Sequence, residues 1–361
     1  MRVIFAAGGT GGHLYPALSL ADYIKEVDPK NEVLFVGSKY RLEATKVEEH
    51  GYDFIGLDIK TPSGNLLNKA VGYFQVFYKV LACQKIIDAF KPDVIIGFGG
   101  YTSYSMLKAG LNKKVVTMLH EQNSVIGKSN LVLAKKVNDL ITCYEGLESQ
   151  TNTHNVKLLG NPTSYQLLHK QASNLEDYGL SKGKKTILIV MGSQGSQSVD
   201  LMMQDFIKEK INPDYQYIYI SGENYFENYQ AFTLPDNVKV LAYENNLVGL
   251  IKACDLIVSR AGASALCELL SAHKVSVLIP SKYVTNNHQY KNAQAVVDKG
   301  AAVIVEENDQ MVENLSKEID VLLQDKTLYD QIQENTKAFD YSNAAKDIYD
   351  LMKEECENHG K

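Results

Sequence analysis

Ten short runs of β-branched and aromatic residues set the limits on what this chain can fold into. RVIFAA, EVLFVG, DVIIGFGG, KVVTMLHE and DLITCYE lie in its first part, and KTILIVMGS, YQYIYISG, NVKVLAY, DLIVSRAG and VSVLIPS in its second. Apolar strands of this length, bounded by turn residues and separated by segments of helical period, are buried on both faces in parallel sheets covered by helices. The expected class is α/β, doubly wound. VIFAAGGTGG at 3–12 and ILIVMGSQGS at 187–196 both break from a strand into glycine before a helix, and DVIIGFGGYTS at 93–103 pairs in the same way with DLIVSRAGASA at 255–265. Two Rossmann-like domains in tandem follow, divided near GNPTSYQLLHKQASNLEDYGLSKGK, where Gly, Asn, Pro and charges replace periodic apolar residues. The 361 residues allow both domains an ample core. A ligand cleft is expected between them.

The composition, 45% hydrophobic and 22% charged, is that of an ordinary globular chain. Cys83, Cys143, Cys254, Cys267 and Cys356 are scattered and never form C-x-x-C, which indicates neither a disulfide framework nor a zinc site and points to a reducing cytoplasm. MRVIFAAGGT lacks the features of a signal peptide, and no stretch offers the ~18 apolar residues of a membrane helix. Between Lys60 and Lys136, eleven lysines face only Asp88, Asp93 and Glu121, although the whole chain carries a net charge of -6. Solvated helix faces explain many such lysines, but the asymmetry also suits an anionic partner. A nucleic-acid binder is unsupported, since the basic stretch forms no aromatic-interleaved recognition module and the whole chain is acidic.

Glycines after a buried strand let backbone N–H groups approach an anion at the start of the next helix. Leu14, Ala17, Leu18, Ala21 and Ile24 then recur at helical spacing. The dinucleotide pattern G-x-G-x-x-G fails on register, because counting from Gly9 puts Leu14 at the third glycine, and neither loop ends in a P-loop lysine. At the start of this helix, His13 either caps and packs or moves a proton. HEQNSVIGKSN (120–130), SRAGASALCE (259–268) and TNNHQYKNA (285–293) are further polar clusters at strand ends. Each alone is explained by capping and turn chemistry; together they suggest sites at the carboxyl edges of the sheets.

GGTGGHLYPAL, GFGGYTS, HEQNSVIGKSN, GNP, GSQGS, SRAGAS followed by Glu268, and HQYKNA occur in this order over almost the entire chain. The set closely resembles the MurG-type glycosyltransferases of bacterial cell-wall synthesis. The resemblance implies a GT-B fold, two Rossmann-like doubly wound domains facing a cleft. Residues 1–161 with a returning 341–361 helix would bind acceptor and membrane, and residues 162–340 would bind UDP-GlcNAc. The implied reaction is inverting transfer of GlcNAc to the 4-hydroxyl of undecaprenyl-pyrophosphoryl-MurNAc-pentapeptide, converting lipid I to lipid II.

An inverting displacement needs a base for the acceptor hydroxyl, and His13 is the expected one, with Glu121 and Tyr101 as orienting or alternative groups. The binding roles are what the resemblance implies: Thr10, Gly11 and Gly12 would cradle the acceptor pyrophosphate and sugar. Ser193, Gln194 and Gly195 would meet the donor diphosphate and sugar, and Asn123, Gln289 and Asn292 the GlcNAc. Glu244 would lie at the uracil. Ala263, Ser264, Ala265, Leu266, Cys267 and Glu268 would form the nucleotide turn, with Glu268 on the ribose. No metal or cofactor is obligatory, and no D-x-D pair is present for a metal clamp. Three departures from the family pattern stand out: Ser164 replaces a common donor-binding arginine, Met191 a common glycine, and Asp200 a common asparagine that would alter the charge of the cleft.

The segment LLNKAVGYFQVFYKVLACQK carries Leu67, Ala70, Val71, Phe74, Phe77, Tyr78 and Leu81 at near-helical spacing beside Lys69, Lys79 and Lys85. Packing on its own sheet explains such a stripe, but apolar residues ringed by lysine also fit peripheral docking on anionic lipid at the cytoplasmic face of the membrane. Cell-wall synthesis proteins are further partners that the resemblance allows. The rival readings are a GT-B enzyme that glycosylates diacylglycerol and a catalytically silent sugar-nucleotide-binding subunit. The GGTGGH and HEQN strings favour the cell-wall enzyme.

Overall fold

A computed structural model of the chain describes residues 1–59, 66–192 and 195–360, apart from the side chains of 66–77 and Thr285. The chain forms two compact units, Met1–Tyr165 with Tyr341–Lys361, and Gln166–Asp340. Each is a parallel sheet covered by helices.

In the first unit the strands are β1 (Arg2–Ala7), β2 (Glu32–Ser38), β3 (Asp53–Leu57), β4 (Val94–Gly99), β5 (Val116–Glu121), β6 (Asp139–Thr142) and β7 (Val156–Leu158). They lie in the order β3-β2-β1-β4-β5-β6-β7, with every pairing parallel. The second unit contains β8 (Thr186–Val190), β9 (Gln216–Ile220), β10 (Val238–Leu241), β11 (Leu256–Ser259), β12 (Val275–Leu278) and β13 (Val303–Ile304), ordered β10-β9-β8-β11-β12-β13 and also parallel. Strand order reverses between β1 and β4 in one sheet and between β8 and β11 in the other. The carboxyl ends of strands at such a switch point open a crevice for ligand. The two glycine-rich pairs recognised in the sequence follow these four strands.

All ten apolar runs form strands. β3, β7 and β13 were not foreseen, because they are sheet edges whose residues are largely half-buried or exposed and so lack a continuous apolar signal.

Helix Gly11–Val27 buries Leu14, Ala17, Leu18, Ala21 and Ile24 against β1 and its neighbours, as its spacing predicts. The same core takes Ala345, Ile348, Tyr349 and Met352 from helix Ala344–His359, so the end of the chain packs within the first unit. Asn31 Nδ2 donates to Tyr349 Oη at 3.2 Å across that contact.

The break between units falls after Tyr165, beyond the 161/162 boundary expected from the Gly-Asn-Pro turn. Tyr165 packs in the first unit's core, and Ser164 binds the turn to that unit. Ser164 is fully buried, and its hydroxyl lies 2.7 Å from Tyr341 O and 3.0 Å from Asn161 O, tying the turn to the returning segment. Gly160 is pressed so closely on that segment (φ +82°) that a Cβ there would lie 2.1 Å from Tyr341 Cβ.

Candidate functional site

The first glycine turn leaves β1 at Gly8 and enters helix Gly11–Val27, with Thr10 in extended conformation as its N-cap. The N–H groups of the first turn, at Gly11 and Gly12, have no acceptor within the helix and face the anion-favouring end of its dipole. His13 lies in this turn. Its Nδ1 is 2.8 Å from Gly8 O. A carbonyl only accepts, so Nδ1 carries a proton, and in the neutral ring Nε2 is the nitrogen with the lone pair. Gly99, at the end of β4 (φ +117°), provides the room, since a Cβ there would sit 2.8 Å from Nε2. Tyr101 follows in the first turn of helix Gly100–Lys113 and is half-buried. The structure thus brings His13 beside the β4 turn that leads to Tyr101.

Within HEQN the roles separate. His120 is buried, with Nε2 2.9 Å from Gly160 O and burial holding its imidazole down to about 4, so it is a neutral core group. Gln122, also buried, donates Nε2 to Phe98 O at 2.9 Å. Neither side chain offers itself to a ligand at the edge of the sheet. Glu121 is 2% exposed and accepts from four donors: Asn123 N and Nδ2 at Oε1, both at 3.1 Å, and Gly127 N and Asn130 Nδ2 at Oε2, at 2.9 and 2.8 Å. With both oxygens engaged, this carboxylate shapes the 122–130 loop, in keeping with the orienting half of its expected role. It orients Asn123, which remains half-buried.

In the second unit the glycine turn after β8 includes Ser193 and Gln194, which lie outside the described residues. Gly195 (φ +73°) passes so close to Ser221 O that a Cβ would lie 2.1 Å from it. Helix Gln197–Glu209 begins beyond Ser196. After β11, helix Ala263–Ser271 starts at the Gly262 N-cap. Ala263, Ser264 and Ala265 occupy its first turn, whose N–H groups lack helical acceptors. Leu266 does not belong with them, since its side chain is fully buried and its N–H bonds Gly262 O at 2.9 Å. Cys267 Sγ lies 4.0 Å from Ser271 Oγ.

Ser264 Oγ is buried without a hydrogen-bond partner among the described residues. One helical turn on, burial pushes the Glu268 carboxyl up to about 7. Its side chain is surrounded by protein while the residue keeps some exposed surface. A carboxyl group and a hydroxyl, four residues apart, thus share one face of this helix.

Gln289, in helix His288–Val297, accepts from Ser281 N at Oε1 (2.9 Å), which leaves its amide nitrogen as the donor end. Asn292 is fully buried, and its amide reaches Ala261 O at 3.4 Å, behind the β11 turn rather than on the surface of a site. Glu244 accepts from Tyr178 Oη at 2.8 Å and from Asn246 N at 2.6 Å. Ser164 belongs to the first unit and is shut off from ligand. Asp200 does not alter the charge of an open site either. It is buried and accepts from Tyr229 Oη (2.8 Å), Asn228 Nδ2 (2.9 Å), Gln204 Nε2 (3.1 Å) and Tyr219 Oη (3.2 Å). Met191 is part of the hydrophobic core.

The glycosyltransferase family 28 N-terminal domain matches residues 3–142, and the C-terminal domain of that family matches residues 186–352. The UDP-N-acetylglucosamine-N-acetylmuramyl-(pentapeptide) pyrophosphoryl-undecaprenol N-acetylglucosamine transferase of Pediococcus pentosaceus is 36% identical, over 98% of this chain and 99% of its own. The chain belongs to glycosyltransferase family 28. The identically named protein of Leuconostoc citreum is 37% identical, over 98% of both chains. Acinetobacter baumannii MurG superimposes with a TM-score of 0.78 at 22% identity, over 98% of this chain and 99% of that one, and the fold is GT-B.

Two residues that tie the turn after β11 to the second glycine turn, Arg260 and Glu307, escaped the sequence reading. Arg260, inside SRAGASA, pairs with Glu307 at 2.6 Å, both buried, and also donates to Ile279 O at 3.0 Å and Ser196 Oγ at 2.6 Å. Ser198 donates to the same Glu307. The pair anchors the start of helix Gln197–Glu209. An arginine directly after a buried strand and before a small-residue turn was the available signal, but its acidic partner lies 47 residues away in sequence.

Proposed function

We propose that this chain transfers N-acetylglucosamine from UDP-GlcNAc to the 4-hydroxyl of undecaprenyl-pyrophosphoryl-N-acetylmuramyl-pentapeptide, with inversion at the anomeric carbon. Full-length likeness to transferases named for that reaction supports the substrates. The observation that carries the mechanism is His13, whose Nδ1–H is held by Gly8 O so that Nε2 is the basic nitrogen.

In the proposed step, Nε2 takes the proton of the acceptor hydroxyl as its oxygen bonds to the anomeric carbon and the bond from that carbon to the UDP oxygen breaks. Charge developing on UDP is met by helix-start N–H groups at Ala263–Ala265 and after Gly195. The ribose hydroxyls donate to Glu268, and Gln289 offers its amide nitrogen to the sugar. Thr10, Gly11 and Gly12 take the acceptor pyrophosphate. Asn123, oriented by Glu121, addresses the GlcNAc.

The lipid acceptor requires access to a membrane surface. Among the described residues, no helix is long and apolar enough to cross a bilayer. In helix Leu66–Phe90, Tyr78 is 63% and Leu81 55% exposed, beside Lys79 and Lys85. Leu67, Ala70, Val71, Phe74 and Phe77 of the same stripe, with Lys69, lie outside the described side chains. Peripheral attachment through this helix at the cytoplasmic face is the reading that the exposed pair and the lysines support.

Purified protein supplied with labelled UDP-GlcNAc and either lipid I or diacylglycerol tests the assignment. Transfer to lipid I is expected; transfer to diacylglycerol alone overturns it, and transfer to neither favours a silent binding subunit. For the membrane reading, sedimentation with anionic vesicles is expected to be salt-sensitive and weakened by Tyr78→Ser with Leu81→Ser; unchanged sedimentation removes it.

A further inference from the structure

Beneath the first glycine turn lies a carboxylate that the proposed mechanism does not use. Glu43, in the first turn of helix Glu43–Glu49 after β2, is 1% exposed. Its Oε1 accepts from Ser38 N at 2.9 Å and from Gly9 N at 3.3 Å. Oε2 is buried and has no hydrogen-bond partner among the described residues. Closeness to the turn is built in: a Cβ on Gly8 would lie 3.1 Å from Glu43 Oε1 and 3.2 Å from Thr102 Oγ1, and a Cβ on Gly37 would lie 2.5 Å from Glu43 Cγ. Gly9 itself has φ +101°, a conformation that favours glycine.

The N–H of Gly9 and the C=O of Gly8 belong to one peptide group. That group donates to Glu43 on one side and accepts from His13 Nδ1–H, at 2.8 Å, on the other. We propose that Glu43 is a positioning residue for the transfer reaction, acting on His13 through the Gly8–Gly9 peptide as a carboxylate–peptide–imidazole chain. A carboxylate on the N–H polarises the peptide, so its oxygen becomes a better acceptor for Nδ1–H, and hydrogen bonds in series strengthen one another at low local dielectric.

The arrangement has two effects. It fixes the ring so that Nε2 faces the acceptor hydroxyl, and it stabilises the imidazolium formed once Nε2 has taken that proton. No proton passes along the peptide; the carboxylate acts by charge alone. A plain structural brace for the turn would need only an acceptor, and a neutral amide oxygen supplies one. Positioning through the peptide, unlike a brace, requires the side chain to be a carboxylate and not its neutral isostere.

This inference rests on His13 being the base, and the experiment separates the two. Transfer is measured for the unsubstituted enzyme, His13→Ala, Glu43→Gln and the double variant, with UDP affinity and thermal unfolding followed alongside. His13→Ala is expected to lose about 100-fold in turnover. Glu43→Gln keeps an acceptor for Gly9 N and removes the charge, and is expected to lower kcat about tenfold at unchanged UDP affinity. In the His13→Ala background the same change is expected to cost nothing further. Near-normal turnover of His13→Ala overturns the base assignment and this inference with it. A normal Glu43→Gln kcat, or an equal loss with and without His13, overturns the inference alone. Should Glu43→Gln not fold, the unsubstituted enzyme still decides: a downfield, exchange-protected Gly9 amide proton supports the chain, and a freely exchanging one removes it.

Discussion

Glu268 is half of the contrast between carboxylates in this chain. Glu121 accepts from four donors, whereas burial alone pushes Glu268 up to about 7. Because its folded value lies above the unfolded 4.5, the proton favours the ligand-free fold; that stabilisation is full below pH 4.5 and gone above pH 7. In the proposed donor complex, ribose hydroxyls donating to the ionised form would reverse the preference. UDP affinity is therefore expected to fall as pH drops below 7, by up to about tenfold per unit, and Glu268→Gln to bind weakly with little pH dependence. Titration calorimetry at several pH values checks both.

His13 and Glu268 stand out in the sequence because a histidine at a helix start and a lone carboxylate in the helix after a small-residue turn are chemically conspicuous. The sequence did not show the burial of Ser164, Asp200 and Asn292, whose partners Tyr341, Tyr229 and Ala261 are remote along the chain. Burial of a polar residue depends on what folds over it, and no local string records that.

The helix that follows the second glycine turn is seated by the Arg260–Glu307 pair, with side chains 8% and 1% exposed. Removing one member leaves the other charged and buried. Arg260→Met is expected to cost about 3 kcal/mol, and adding Glu307→Leu to restore much of it, since apolar replacement of a buried pair is often neutral. Urea unfolding of the two variants measures the difference. If the pair seats the glycine turn, UDP binding should stay impaired in the double variant even where stability returns. Elements with a continuous apolar run were legible in advance. The edge strands β3, β7 and β13 were not, because half-exposed residues there leave no period to read.

The first unit is made from two distant parts of the chain, and its core contains Ile348 and Met352. Ile348→Ala is expected to lose about 3 kcal/mol. Hydrogen exchange should quicken in β1, β4 and β5 and stay unchanged in β8 and β11; equal quickening in both sheets would contradict the division into units. The tandem repeat of glycine pairs made two sheets predictable, and the residues that close the first one were foreseen only through resemblance, since a surface helix ending the second domain has the same apolar spacing.

The returning helix also bears on the order in which the protein matures on the ribosome. Residues 166–340 are contiguous and are complete before 341–361 have been translated. The first half of the chain, although made earliest, then waits with part of its interior uncovered until the closing helix arrives. A released chain ending at Asp340 should therefore carry a protease-resistant second unit and a protease-sensitive first one.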